Sequence, residues 1–119
     1  MSMRMAKKAA KESTFKQHRL GAVVVKGGNI LATGFNSRQP SSLLKTATRH
    51  AEASAILKLL KKGRQHDLVG SSLFVSRFTS GGRIGLSRPC DACMGLIRSV
   101  GIKEVFYTTD EGTTERLKV

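Results

Sequence analysis

Leu20-Gly21-Ala22-Val23-Val24-Val25-Lys26-Gly27-Gly28-Asn29-Ile30-Leu31-Ala32-Thr33-Gly34-Phe35 is the stretch that decides the architecture. A β-branched run, a Lys-Gly-Gly-Asn turn and a second apolar run make a β-hairpin. Upstream, residues 4–15 read as a helix, with Met5, Ala6, Ala9 and Ala10 as an apolar stripe and Arg4, Lys7, Lys8 and Lys11 on the other side. That stripe is made of small side chains, so its neighbour must approach closely. Downstream, Ser37 to Lys45 contains Pro40 and three serines and reads as a loop. A helix from Thr48 to Lys62 follows, with Ala53, Ile56, Leu57 and Leu60 on one face, and Gly63 ends it. Ser72 to Phe78 is a strand, Ser80-Gly81-Gly82 a turn, and Arg83 to Leu86 a return segment that extends a second hairpin. The next helix starts at Pro89 or Cys90, presents Cys93, Leu96, Ile97 and Val100, and stops at Gly101. Lys103 to Thr108 is a further strand, and Asp110 to Val119 is polar and unassigned. The order α-ββ-α-β-α-β predicts an α/β fold: a three-layer α-β-α sandwich around one mixed sheet of four or five strands.

At 119 residues the chain reads as one domain spanning residues 1–119. Apolar residues make up 39% and are evenly spread, and no run approaches the roughly 18 residues of a bilayer helix, so a soluble protein with no membrane partner is expected. Met1 to Lys11 is charged and has no apolar core of a secretory signal. Cys90 and Cys93 are the only cysteines, spaced as a metal half-site or redox pair and not as a disulfide framework, which points to an intracellular, cytoplasmic protein. Against 8 Asp and Glu stand 21 Lys and Arg, a formal +13, and so basic a protein attracts phosphates or nucleic acid.

The chemistry is carried by His50-Ala51-Glu52 and Pro89-Cys90-Asp91-Ala92-Cys93. One imidazole and two thiolates make a Zn2+ site one ligand short of tetrahedral, and the open position is where a water is held and activated. Both motifs stand where a helix begins; the partial positive charge there favours thiolate, so Cys90 and Cys93 are expected to be ionised in readiness for metal. Three residues apart in a first turn, the two sulfurs face the same way. His50 and Glu52 would diverge by about 200° around a regular helix, so they converge only on something beyond the helix end. Glu52 is surplus as a ligand and is placed as the catalytic acid/base. For substrate phosphate, Arg38, Lys45 and Arg49 flank the approach to His50, and Arg77, Arg83 and Arg88 the approach to Cys90. The arginines are favoured, Arg83 and Arg88 in particular, because a planar fork suits phosphate.

These residues match the H-x-E…P-C-x-x-C signature of zinc-dependent nucleobase deaminases. With Gly21 to Val25, Gly34-Phe35-Asn36 and Gly101 to Val105, the chain resembles the cytidine deaminase superfamily over about residues 20–108, most closely its deoxycytidylate deaminase-related branch. The resemblance implies deamination of cytosine to uracil, in a deoxycytidine nucleotide or single-stranded nucleic acid. It implies that Glu52 passes protons to N3 and to the departing ammonia, that Asn36 contacts the sugar, that Ala51 lines the base pocket, and that the Cys90 N–H holds the attacking oxygen. It also implies a further helix and strand after Thr108, for which Asp110 to Val119 leaves little chain, so the fifth strand is expected to be reduced or missing. A homo-oligomer is compatible with the family.

Other readings compete. Adenosine deamination in RNA uses the same zinc chemistry at C6. A redox Cys-x-x-Cys leaves His50-Ala51-Glu52 without a purpose. A closed structural zinc site, as in a non-catalytic nucleic-acid-binding domain, needs a fourth ligand, and only His18 and His66 remain, both read as surface residues.

Overall fold

The helices that begin at Ser2 and Ala51 each pack over a glycine of the sheet. In the computed structural model, which describes residues 2–15, 18–38 and 50–119, helix α1 (Ser2–Ala10) is followed by β1 (Arg19–Lys26) and β2 (Asn29–Phe35). A Cβ on Gly21 of β1 would lie 2.1 Å from the Ala6 carbonyl oxygen and 2.3 Å from the Ala10 nitrogen, so only glycine admits the alanine face of α1. The close approach expected from that small-residue stripe is what the fold contains, although α1 ends at Ala10, earlier than residue 15.

Successive residues of a strand point to opposite faces. Ala22 and Val24 of β1 therefore face away from α1, into a core shared with α2 (Ala51–Lys61), α3 (Gln65–Leu68), β3 (Ser72–Phe78), α4 (Asp91–Ser99) and β5 (Glu104–Thr108). Ile56, Leu59, Leu68, Leu73, Val75, Ile97, Ile102 and Val105 are fully buried there. Each contributes about 1.5–3 kcal/mol by leaving water. In α2 the first six residues are all buried, so the expected stripe gives way to a wedge, with Ala55, Ile56 and Leu59 inward and Leu57 only half-buried. Residues 48 and 49, given to this helix from the sequence, lie outside the described residues.

The sheet runs β2-β1-β3-β5-β6, with β4 (Ile84–Gly85) beside β3 and β6 (Thr114–Lys118) closing the far edge. Pairing is antiparallel except between β3 and β5, which α4 connects in parallel. With helices on both faces, this is the three-layer α/β fold expected. The tail corrects one expectation: a turn stabilised by Gly112 N to Thr109 O brings β6 back antiparallel to β5, so the last strand needs no helix before it. The hairpin after β3 also forms, through Arg77↔Gly85 and Phe78↔Ile84. Because β3 and β5 are parallel, their carboxyl ends share one edge, and α2 and α4 both begin there. No helix among the described residues is long and apolar enough to cross a membrane.

Candidate active site

His50 caps the N-terminus of α2 with extended backbone (φ −76°, ψ 151°), and Cys90 caps α4 in the same way (φ −71°, ψ 169°). A capping residue stands off the helix, which resolves the divergence expected of His50 and Glu52: the imidazole leaves the helical path while Glu52 stays in the first turn. Cys93 lies in the first turn of α4. The ligand atoms of His50, Cys90 and Cys93 all lie within 4.8 Å of one another, with His50 Nδ1 3.1 Å from Cys93 Sγ and 3.9 Å from Cys90 Sγ. Metal bonds of about 2.0–2.3 Å at tetrahedral angles put donors roughly 3.3–3.8 Å apart, so one imidazole and two sulfurs at these spacings fit Zn2+.

Glu52 is 3% exposed, in a helix start whose Ala51, Ala53 and Ala55 are buried as well. Burial raises its carboxyl above the ordinary glutamate range, outweighing its backbone hydrogen bond and the neighbouring His50. Cys93 corrects an expectation. Its thiol is pushed up, first by burial and then by the Glu52 carboxylate and Cys90, so the helix terminus alone does not ionise it. A bound cation supplies what that terminus does not.

His50, Glu52 and Cys90 line a cavity of about 460 Å³ whose walls also include Phe15, His18, Leu20, Asn36, Ala51, Arg77, Leu86, Ser87 and Arg88. That volume lies within the range of small-molecule sites, about 300–1,000 Å³. Ser87 fixes the wall leading to Cys90: its Oγ donates to Val75 O at 2.8 Å and accepts from Thr108 N at 2.7 Å.

Residues 1–109 match the family model for the cytidine and deoxycytidylate deaminase zinc-binding region. The chain belongs to this deaminase family. It is a hydrolase of C–N bonds whose cofactor is Zn2+. Among curated relatives, it is 29% identical to the deoxycytidylate deaminase of Mycobacterium phage D29, over 87% of this chain and 88% of that protein. It is 32% identical to the deoxycytidylate deaminase of Schizosaccharomyces pombe, over 90% of this chain but only 35% of the yeast protein. The guanine deaminase of Bacillus subtilis is 34% identical over 76% of this chain and 49% of its own length. Among solved structures, the dCMP deaminase of cyanophage S-TIM5 superposes with a TM-score of 0.70 at 31% identity, covering 91% of this chain and 79% of that one. The cytidine deaminase of Burkholderia pseudomallei, at 22% identity and TM-score 0.74 over 98% of this chain and 89% of its own, shares the fold.

The structure sorts the residues expected to meet substrate in this deaminase. Ala51 and Arg88 line the cavity, and the Arg88 guanidinium lies 6.0 Å from the centre of the Tyr107 ring. Arg83 does not: the two-residue β3–β4 ladder carries it to the exposed hairpin tip, away from the lining residues. Arg38 stacks on Phe15 at 5.2 Å, and Lys45 and Arg49 lie outside the described residues. Asn36 reaches the cavity wall, but its amide is engaged within the protein, accepting from Ser13 Oγ and from Leu20 N (2.9 Å) and donating to His18 O (2.7 Å). His66 is exposed, as expected. His18 is exposed, as expected, and it also lines the cavity, in a left-handed conformation (φ 54°). A single left-handed residue and a phenylalanine in a turn leave no periodic signal, so sequence reasoning passed over His18 and Phe15 as wall residues.

Proposed function

We propose that this enzyme hydrolyses the exocyclic amine of deoxycytidine 5′-monophosphate, giving the uracil nucleotide and ammonia. The observation that carries the reading is the placement of Glu52, a buried carboxyl of raised pKa, beside the cluster of His50, Cys90 and Cys93, where Glu52, His50 and Cys90 line a cavity that also holds Arg77 and Arg88. Support for the base and the phosphate comes from the deoxycytidylate deaminases among the relatives. His50, Cys90 and Cys93 would hold Zn2+, which when bound would lower the pKa of a coordinated water to about 7. Glu52 would take one proton from the attacking water and deliver it to N3 as the C4–oxygen bond forms, then take the proton of the new C4 hydroxyl and pass it to the amine as the C4–N bond breaks, leaving a C4 carbonyl and ammonia. A carboxyl raised toward neutrality suits both directions of that transfer. Ala51 and Leu20 confine the base, and the Cys90 N–H, at the positive end of α4, steadies the oxygen on C4.

A free nucleotide is favoured over single-stranded nucleic acid, because the lining offers one aromatic ring, Phe15, where a polymer channel uses several stacking platforms. The free Cys90 and Cys93 thiols suit a reducing, intracellular setting. The guanine deaminase relative favours a second reading, a purine base in the same cavity.

The test is ammonia release by zinc-loaded protein from dCMP, deoxycytidine, guanine, adenosine in RNA and a cytosine-containing oligonucleotide. Turnover of dCMP above the others, abolished in Glu52→Gln with zinc retained, is expected. Turnover of guanine alone replaces the first reading with the second; turnover of none removes both.

A further inference from the structure

Arg77 is a cavity-wall cation with unspent donors. It leaves the end of β3, opposite Leu20 of β1, and lines the cavity. Of the five N–H groups of a guanidinium, one at Nη1 reaches Leu86 O at 3.3 Å and one at Nη2 meets His18 Nδ1. Nε is buried with no acceptor among the described residues. The ion pairs among the described residues use Arg64, His66 and Arg116, and the residues outside that description contain no Asp or Glu, so no carboxylate neutralises Arg77.

The group that meets Arg77 is itself held at a cost. His18 adopts φ 54°, the one positive φ among the described non-glycine residues. Such backbone persists only where its surroundings enforce it, and it concentrates at binding sites. The enforcement is visible here: Asn36 Nδ2 donates to the His18 carbonyl, and Asn36 Oδ1 is pinned from the other side by Ser13 Oγ and Leu20 N. Ser13, Asn36, His18 and Arg77 thus form one chain of contacts from the α1–β1 connection to the cavity wall. On the same wall, Arg88 is a second guanidinium without a carboxylate partner. The turn of the β3–β4 hairpin is what brings Leu86 and Arg88 alongside Arg77.

We propose that Arg77, aimed by His18, is the specificity-determining residue that recognises the phosphomonoester of the substrate, with Asn36 as a positioning residue. The inference rests on the nucleotide-deaminase reading above and deepens it. A planar fork carrying unspent donors and no counter-ion is complementary to a tetrahedral dianion. The neutral nucleoside offers it nothing. Glu52 and the metal donors already account for the base end of the cavity, which leaves the arginine wall for the phosphate end.

The experiment compares kcat and KM of zinc-loaded wild type, Arg77→Ala, Arg77→Lys and His18→Asn on dCMP and on deoxycytidine. Asparagine tolerates left-handed backbone, so His18→Asn removes the imidazole and spares the turn. In Arg77→Ala the ratio of kcat/KM for dCMP over deoxycytidine is expected to fall about 10–100-fold, carried by KM for dCMP, with part of the ratio restored in Arg77→Lys. His18→Asn is expected to fall between wild type and Arg77→Ala, and inorganic phosphate to inhibit wild type more strongly than either variant. Equal losses on both substrates would mean a structural role and would overturn the proposal, as would wild-type preference for an oligonucleotide over dCMP. If Arg77→Ala does not fold, an unaltered substrate ratio in both Arg77→Lys and His18→Asn overturns it equally. If wild type turns over neither substrate, the deaminase reading fails. Calorimetric binding of dUMP against deoxyuridine, wild type against Arg77→Lys, then decides the phosphate question alone: a difference confined to dUMP supports it and no difference ends it.

Discussion

Gly34 lies so close beneath the first turn of α2 that a Cβ there would sit 2.6 Å from the Ala51 carbonyl oxygen and 2.5 Å from the Ala55 nitrogen. The contacted atoms are backbone, so nothing flexible can yield, and the helix that carries His50 and Glu52 must lift. Gly34→Ala is therefore expected to cost about 1–3 kcal/mol. Denaturant unfolding checks the stability. The same displacement moves Glu52 relative to the metal donors, so kcat should fall more than 10-fold even at temperatures where the variant is fully folded. Circular dichroism and turnover measured at one temperature separate the two losses.

Glu52 links stability to pH with a definite sign. Its folded carboxyl is raised above the ordinary value by burial, so the group favours the fold below the usual glutamate range, and that contribution is lost as pH rises through the raised folded value. Glu52→Gln removes the titration. In metal-free protein the variant should gain on wild type as pH rises above the ordinary glutamate value, at a slope of up to about 1.4 kcal/mol per pH unit until the raised folded value is passed. Paired melting curves at fixed salt test this, and a difference independent of pH would show that the carboxyl is not perturbed.

Much of this was legible in sequence because the informative signals are local. The alanines of α1 announced the close approach that Gly21 permits, and the two motifs put His50, Cys90 and Cys93 on one cation-sized cluster. What sequence misread depends on tertiary burial. The helix N-terminus suggests an ionised Cys93, but a neighbouring carboxylate and exclusion of water reverse that. Spacing placed Arg83 near the cavity, but a two-residue ladder turns it out and leaves Arg77 behind. The contact of Asn36 with the His18 carbonyl has no signal in the spacing, because it depends on a single left-handed residue. The polar tail gave no strand pattern because β6 is an edge whose outward residues are all exposed, and only Leu117 turns to the core.

Zinc uptake should release protons at neutral pH. The Cys93 thiol is held up by burial and by Glu52, yet only a thiolate binds the metal, so the proton must leave on binding. Calorimetric titration of metal-free protein with zinc in buffers of different ionisation heat measures the number released, expected to fall by about one in Cys93→Ser along with much of the affinity. Chelation should lower the melting temperature, since a ligand present at 100 times its Kd contributes about 2.7 kcal/mol to the folded state.

Ser87 and Thr108 close the parallel pair of strands behind the metal donors. Both are 1% exposed, and Thr108 Oγ1 lies 2.7 Å from Gly85 O and 2.9 Å from Ser87 Oγ. Removing the Ser87 hydroxyl strands a buried carbonyl at Val75 and a buried N–H at Thr108, so Ser87→Ala should cost about 1–3 kcal/mol. Thr108→Val leaves Gly85 O without its donor, and because the two hydroxyls share partners the double variant should lose less than the sum of the singles. The loop they anchor runs directly into Cys90. Zinc affinity should therefore fall by roughly 10-fold in Ser87→Ala, as it does when groups that orient metal ligands are removed. Competition with a chromophoric chelator measures it, and an unchanged affinity with a lowered melting temperature would show that the loop holds Cys90 without this anchor.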